Sequence, residues 1–325
     1  MHPHTPRKLL IDTDTASDDA VALIMALRSP ELSVLAITTV AGNVGLEQAT
    51  RNALYTAELC GSNVPVFSGA AAPLIRPLED AVWFHGRDGL GDHGYEPAAR
   101  TAAAEFAVDA IVCTVAANPG IEIITLGPLT NLALALRQWP QLAANVTRCV
   151  VMGGAPCCEG NVSPAAEFNF WVDPEAARVV LRSQLPVELV GWQLSRGPAV
   201  VNAAEAKEIL ALGTSFAHFS IQSNSTAAAA YKTQTGEEGI ALPDPIAMAI
   251  LLDPSLALVA SDHYMDVQVD SGLTRGMSVI DRLGVAEDAR NRSVWNDVLT
   301  HGRKQKVIWK MDIPGWKRSL LRALR

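Results

Sequence analysis

Four aspartates, Asp12, Asp14, Asp18 and Asp19, stand within eight positions of the stretch LLIDTDTASDDAVALIMAL, residues 9–27, with apolar residues on either side. Buried carboxylates are costly unless something pairs them, and here like charges crowd together. A helix capped by Ser17, with Asp18 and Asp19 in its first turn, accounts for two of them, because acids are favoured at the positive end of the helix dipole. Asp12 and Asp14, two apart at a strand end and so on one face, need another explanation. A cation among the four would relieve the repulsion. Oxygen-only donors select a hard ion, and calcium, which takes ~6–8 oxygens in flexible geometry, is favoured over magnesium. A remote carboxylate could complete the shell. Asp244 in LPDPIAMAILLD is the candidate, opening a helix with Pro245 in a common first-turn position.

Positioning such a cluster requires a scaffold, and the chain alternates strand-like and helix-like segments. KLLIDTD, LSVLAITTVAGN, VPVFSGA, IEIITLG, TRCVVMGGA and PVELVGW read as strands; amphipathic or apolar helical patterns lie between most of them. Near-continuous apolar strands alternating with helices imply a parallel sheet covered on both faces. Residues 202–253 are mostly helical in pattern. HYMDVQVD, RGMSVIDRL and KVIWKMD then suggest a small antiparallel addition. With no linker and no internal repeat, the expectation is one α/β domain over residues 1–325: a mostly parallel open sheet covered by helices, with a small C-terminal β/α addition. Open parallel sheets bind ligands at the carboxyl ends of their strands, and polar residues gather there: the aspartates after the first strand, Asn43 after the second, and GNVSPAAEFNFWVDPEAA after the fifth.

Composition narrows the function classes. The 325 residues carry a formal net charge of −8 with no basic stripe, which argues against nucleic-acid binding. The apolar run at 20–27 is too short to span a bilayer, and the N-terminus shows no secretory signal pattern, so a cytoplasmic protein is expected. Five cysteines, Cys60, Cys113, Cys149, Cys157 and Cys158, form no CxxC pair and read as small apolar residues rather than metal ligands.

The spacing Asp12-Thr-Asp14-Thr-Ala-Ser-Asp18-Asp19-Ala-Val-Ala22 resembles the signature of the calcium-dependent nucleoside hydrolases, the inosine–uridine preferring enzymes and their relatives. The resemblance continues in order through TTVAGN, HGRDGLGD, LGPLTNLALAL, VMGGA, GNVSPAAEFNFWVDPEAA and DPIAMAILLDP, over residues 8–255. It implies hydrolysis of the N-glycosidic bond of ribonucleosides to ribose and free base, with a calcium-bound water activated by an aspartate. It implies calcium ligation by Asp14, Asp19, Asp244 and the carbonyl of Leu126, with Asp14 also the general base and Asp12 a brace. Asp18, Asn43, Met152, Asn161, Glu167 and Asn169 match the ribose pocket, and Phe168 its wall. Glu167 and Asn169 share a face if their stretch is extended. The resemblance also implies a homodimer or homotetramer.

One position departs from the pattern. A branch of the family carries His immediately before the third metal aspartate; here that residue is Pro243, which has no proton to give a leaving base. His85 in FHGRDG is the first candidate acid and His93 the second. Trp83 could stack on the base, and Tyr231 matches an aromatic near the base pocket. A purine-favouring or broad enzyme is the resulting guess. Two other readings stand beside it. LLIDTDTA resembles the DxDx motif of aspartyl-phosphate phosphatases, though Ala16 and the Asp18–Asp19 pair fit that poorly. The loss at Pro243 would also suit a non-catalytic protein that binds ribose or nucleosides.

Overall fold

The computed structural model describes residues 5–270 and 272–325. Among the described residues there are ten strands: β1 (Arg7–Thr13), β2 (Leu32–Thr39), β3 (Val66–Ser68), β4 (Ile121–Thr125), β5 (Val146–Met152), β6 (Val187–Val190), β7 (Ala257–His263), β8 (Met265–Val267), β9 (Ser278–Ile280) and β10 (Gln305–Met311). Eight of them form one sheet in the order β3-β2-β1-β4-β5-β6-β10-β7. Every neighbouring pair is parallel except β10 with β7, so the expected α/β class and mostly parallel sheet are present.

Alternation along β1 shows why the strands read as continuous apolar runs. Leu9 and Ile11 join one core cluster and Leu10 the other, all fully buried. Each face of the sheet is covered by helices, so a period-two pattern has no solvent side to reveal itself. The first cluster includes the helices Ser17–Leu27 and Pro243–Leu252, which pack against each other over the β1 and β5 face.

The C-terminal reading needs one correction. The segment KVIWKMD is not part of a separate addition: as β10 it joins the main sheet parallel to β6 and carries β7 as an antiparallel edge. Only β8 and β9 form the small antiparallel ribbon. β7 is not among the expected strands: its apolar stretch LALVA is short, and as an edge the strand is exposed over Leu258–Asp262 and paired only with the distant β10.

Strand order reverses beside β1. The chain runs from β1 outward through β2 and β3, then returns to β4 on the other side. A crevice opens at such a reversal, outside the carboxyl ends of the strands. Asp14 follows β1 there, Leu126 follows β4, and Met152 closes β5.

Candidate active site

At the carboxyl end of β1 the chain turns directly into the helix Ser17–Leu27. The cap differs from the expected one. Ala16, not Ser17, is the N-cap residue, and the Asp19 carboxylate folds back to accept the Ala16 N–H at 2.9 Å and the Thr13 hydroxyl at 2.5 Å. Ser17 is thereby released, and its hydroxyl meets Nδ1 of His85 at 2.9 Å. Asp14 Oδ2 accepts the backbone N–H of Asn43 at 2.6 Å. Asp12 points elsewhere, taking hydrogen bonds from Thr38 at 2.5 Å and Asn131 at 2.8 Å, which ties β1 to β2 and to the helix Thr130–Gln138.

Asp244 arrives from a distant part of the chain. Its helix begins at Pro243, so Pro243 rather than Pro245 takes the first helical position and Asp244 the second. One carboxylate oxygen from each of Asp18, Asp19 and Asp244 lies within 4.8 Å of the others. All are buried, as is Asp14. Asp14 Oδ1 and Asp18 Oδ1 are buried without a hydrogen-bond partner, which is expensive unless another ligand satisfies them. Close backbone holds the group: a Cβ on Gly42 would come 2.1 Å from Asp14 Oδ2, and one on Gly127 2.6 Å from Asp14 Oδ1. Burial, reinforced by the Asp19 charge, pushes Asp18 up to about 8. Asp14 and Asp244 are raised well above the usual carboxylate range by burial and by their acidic neighbours. Four such groups with only oxygen donors fit a hard divalent cation, which supplies the missing positive charge.

Above the aspartates lies a half-open cleft that narrows towards them. Asp18 and Asp244 form its floor, with Asn43, Leu126 and Met152 from the strand ends. One wall comes from residues 161–169. Here the structure revises the expectation of an extended stretch: Phe168–Val172 is a short helix, and Glu167 is its N-cap. The Glu167 carboxylate accepts N–H groups of Asn169 at 2.8 Å, Gly154 at 2.7 Å and Phe170 at 3.3 Å. Burial nevertheless pushes Glu167 up to about 7. Asn169 donates to the Leu126 carbonyl at 2.7 Å and the Met152 carbonyl at 3.2 Å, and Asn161 accepts the Phe168 N–H at 2.9 Å. Asn161, Glu167, Phe168 and Asn169 all line the cleft.

The outer wall is aromatic. Trp83 lines the cleft 57% exposed, with Phe84 edge-on to it, so it is not a packed core residue. His85 is buried at the cleft beside Asp18, 3.9 Å away. Burial lowers its pKa to about 3, so at neutral pH the imidazole carries no extra proton, which weighs against the expected role as acid. The glycines that follow it, Gly86, Gly89 and Gly91, have φ values of +90°, +70° and +83°, conformations that explain the HGRDGLG spacing.

Two expectations are corrected. Tyr231 does not line the cleft: it is buried against Trp192 and Val200, and its hydroxyl is bound by Glu237. His93 is also outside the lining, bonded to Ser225 at the surface. In their places the fold supplies Trp192 and Gln234, neither of which carried a motif. Gln234 donates to the Asn161 carbonyl. The helical spacing from Tyr231 to Gln234 was the only available signal, since residues three apart share a helix face.

The family model described as inosine-uridine preferring nucleoside hydrolase matches residues 9–314, and the chain belongs to that family. The inosine-uridine preferring nucleoside hydrolase of Leishmania major is 36% identical over 280 residues, covering 85% of this chain and 88% of its own. The pyrimidine-specific ribonucleoside hydrolase RihB of Escherichia coli (strain SE11) is 36% identical over 292 residues, covering 89% and 91%. Among solved structures, a plant nucleoside hydrolase superposes with a TM-score of 0.90 at 33% identity, covering 98% of this chain and 99% of its own. A purine-preferring ribonucleoside hydrolase from Gardnerella vaginalis gives 0.87 at 30% identity, with 98% of each chain covered. The protein is therefore a ribonucleoside hydrolase, acting on a small-molecule nucleoside, and the phosphatase and non-catalytic readings give way. The names of these relatives carry different base preferences: inosine-uridine, pyrimidine and purine.

Proposed function

We propose that the enzyme is calcium-dependent, with Asp14, Asp19, Asp244 and the carbonyl of Leu126 holding the ion and Asp14 acting as general base. The observation that supports this reading is a buried, mutually repelling group, Asp18, Asp19 and Asp244 close together with Asp14 beside them, in which Asp14 and Asp18 each keep an unpartnered oxygen and Asp18 and Asp244 line the cleft. When bound, calcium supplies a positive charge that makes water more acidic and grips the ribose hydroxyls. Asp14 is fixed through Oδ2 by the Asn43 N–H, which leaves Oδ1 free to take the water's proton. Asp18, Asn161, Glu167 and Asn169 orient the ribose, with Met152 and Phe168 excluding water beside it. An absent ribose hydroxyl would leave such buried groups unpaired, which favours ribonucleosides over deoxyribonucleosides.

The ionisable residues lining the cleft are Asp18, His85, Glu167 and Asp244. Asp18, Glu167 and Asp244 serve the ribose and cation end, which leaves His85, two residues from Trp83, at the base end. His85 is neutral and acts as a hydrogen-bonding group, while Trp83 offers a face for stacking. An aromatic mouth without a dedicated acid supports a purine or broad preference. The five free cysteines suit a reducing, cytoplasmic setting. We extend the proposal to a homodimer or homotetramer, with residues 1–325 acting as one domain. Free-base release from inosine, adenosine, guanosine, uridine and cytidine, with and without a chelator, tests the reading. Chelator-sensitive release that calcium restores supports it; full activity in chelator refutes the cation assignment.

A further inference from the structure

The helix Pro243–Leu252 carries Asp244 at its start, by the carboxyl ends of the strands, and ends near their amino ends, about 12 Å away at 1.5 Å per residue. An α-helix leaves its last four carbonyls without helical partners. Here each finds a donor. The Ala249 carbonyl takes the Asp253 N–H at 2.8 Å. Arg148 donates to Ile250 at 3.0 Å and to Leu251 at 2.9 Å. Arg7 donates to Leu251 at 3.0 Å and to Leu252 at 3.1 Å. The two guanidiniums are themselves fixed at the amino ends of the strands. Arg7 makes paired bonds to Glu122 on β4 at 2.9 and 2.8 Å, and Arg148 reaches Glu188 on β6 at 2.8 Å. Lys306 on β10 holds the other oxygen of Glu188 at 2.8 Å. Five strands thus converge on the end of one helix.

The rest of that helix cannot fix its own axial position. Residues Ile246–Leu252 are apolar and buried without a break, and apolar burial is non-directional. Hydrogen bonds to the last carbonyls are directional, and cations there also meet the negative end of the helix dipole. A shift of the helix along its axis would carry Asp244 with it, away from Asp18 and Asp19.

We propose that Arg148 and Arg7 are positioning residues for the cation site: anchored in the sheet, they lock the helix Pro243–Leu252 along its axis and so hold the Asp244 carboxylate in register with Asp18 and Asp19. This inference rests on the cation reading above. The test is calorimetric titration of the full-length, chelator-stripped protein with calcium, alongside thermal unfolding of the calcium-free protein. Arg148→Met weakens calcium binding about tenfold or more, the scale seen when groups that orient metal ligands are removed. Arg148→Lys recovers part of the loss, since one ammonium still reaches a carbonyl. Arg7→Met gives the same phenotype should Arg148→Met fail to fold. Arg182→Met removes a remote arginine paired with Asp266 and Asp297; it lowers the melting temperature and leaves calcium affinity unchanged. If the Arg148 and Arg7 variants melt earlier but bind calcium like the wild type, the arginines merely stabilise the fold and the inference is wrong. If the wild-type protein itself binds no calcium, the cation reading fails and this inference fails with it.

Discussion

Removing the cation should make rising pH destabilise this fold, the reverse of what salt-bridged carboxylates do. With no ion among the aspartates, burial and then the Asp19 charge place Asp18 at about 8, against 3.8 in an unfolded chain. Burial alone raises Asp12 to about 7, against the hydrogen bonds of Asn131 and Thr38. A carboxyl whose pKa is higher in the fold keeps its proton there after the unfolded chain has released it. Its contribution is complete below about pH 4 and is lost as pH climbs towards the folded value. The slope is about 1.4 kcal/mol per pH unit for each retained proton. Asp18 alone therefore removes about 3 kcal/mol between pH 5 and pH 7, on the order of 5 °C in melting temperature for a chain this long. A bound cation inverts the sign, because it holds the ionised form, so calcium stabilisation grows with pH. The assay is thermal unfolding at pH 5, 6, 7 and 8, in chelator and in calcium, for the wild type and for Asp18→Asn. The variant loses about one proton's worth of slope in chelator. A chelated wild type whose melting temperature is flat or rises with pH would refute the argument, as would a calcium increment equal at pH 5 and pH 8.

Other consequences are checked more directly. Asp14→Asn keeps the fold, because an amide oxygen still accepts the Asn43 N–H, and lowers turnover by about 10²–10⁴ in steady-state assays. Gly127→Ala drives a methyl group to within 2.6 Å of Asp14 Oδ1, so calcium affinity and activity fall together while circular dichroism stays native. Trp83→Ala, at an exposed ring, leaves the melting temperature unchanged and raises KM. Base–aromatic stacking worth about 1–3 kcal/mol corresponds to a roughly 5- to 150-fold rise. Pro243→His places a proton donor on the cleft lining; kcat should rise most for the nucleosides with the poorest leaving bases, read across the five common ribonucleosides.

The fold was legible wherever burial repeated. β1, β2, β4, β5 and β6 are mostly buried, and each left a short, largely apolar segment followed by a turn or loop signal. β7 left only LALVA, with nothing local to set it apart as a strand. Its outer residues Leu258–Asp262 face solvent, and what makes it a strand is pairing with β10, some 48 residues away from Ser261 to Trp309 in sequence. The same distance misassigned β10. Its pattern says strand, but nothing local says that it adds to β6 rather than to its neighbours in the chain.

The two halves of the cleft differ for a related reason. The side proposed to take ribose and the cation is built at strand ends, where rigid elements place residues at fixed offsets: Asp14 after β1, Asn43 after β2, Leu126 after β4, and Glu167 capping a short helix. Offsets of that kind survive in sequence as motifs. The side proposed to take the base is built by segments whose path is set by contacts distant in sequence. Tyr231 pointed to the right helix, but its ring is buried against Trp192 and its hydroxyl is bound by Glu237, and Gln234, one turn further on, reaches the cleft instead. Trp192 comes from a single 3₁₀ turn after β6 with no periodicity to mark it. In the proposed reading, a half fixed at strand ends holds the ribose while a half built from short helical segments faces the base, so one scaffold keeps its chemistry while its preference drifts. That reading places the determinants of preference among Trp83, Trp192, Gln234 and Pro243 rather than among the aspartates, and the preference change expected of Pro243→His tests it.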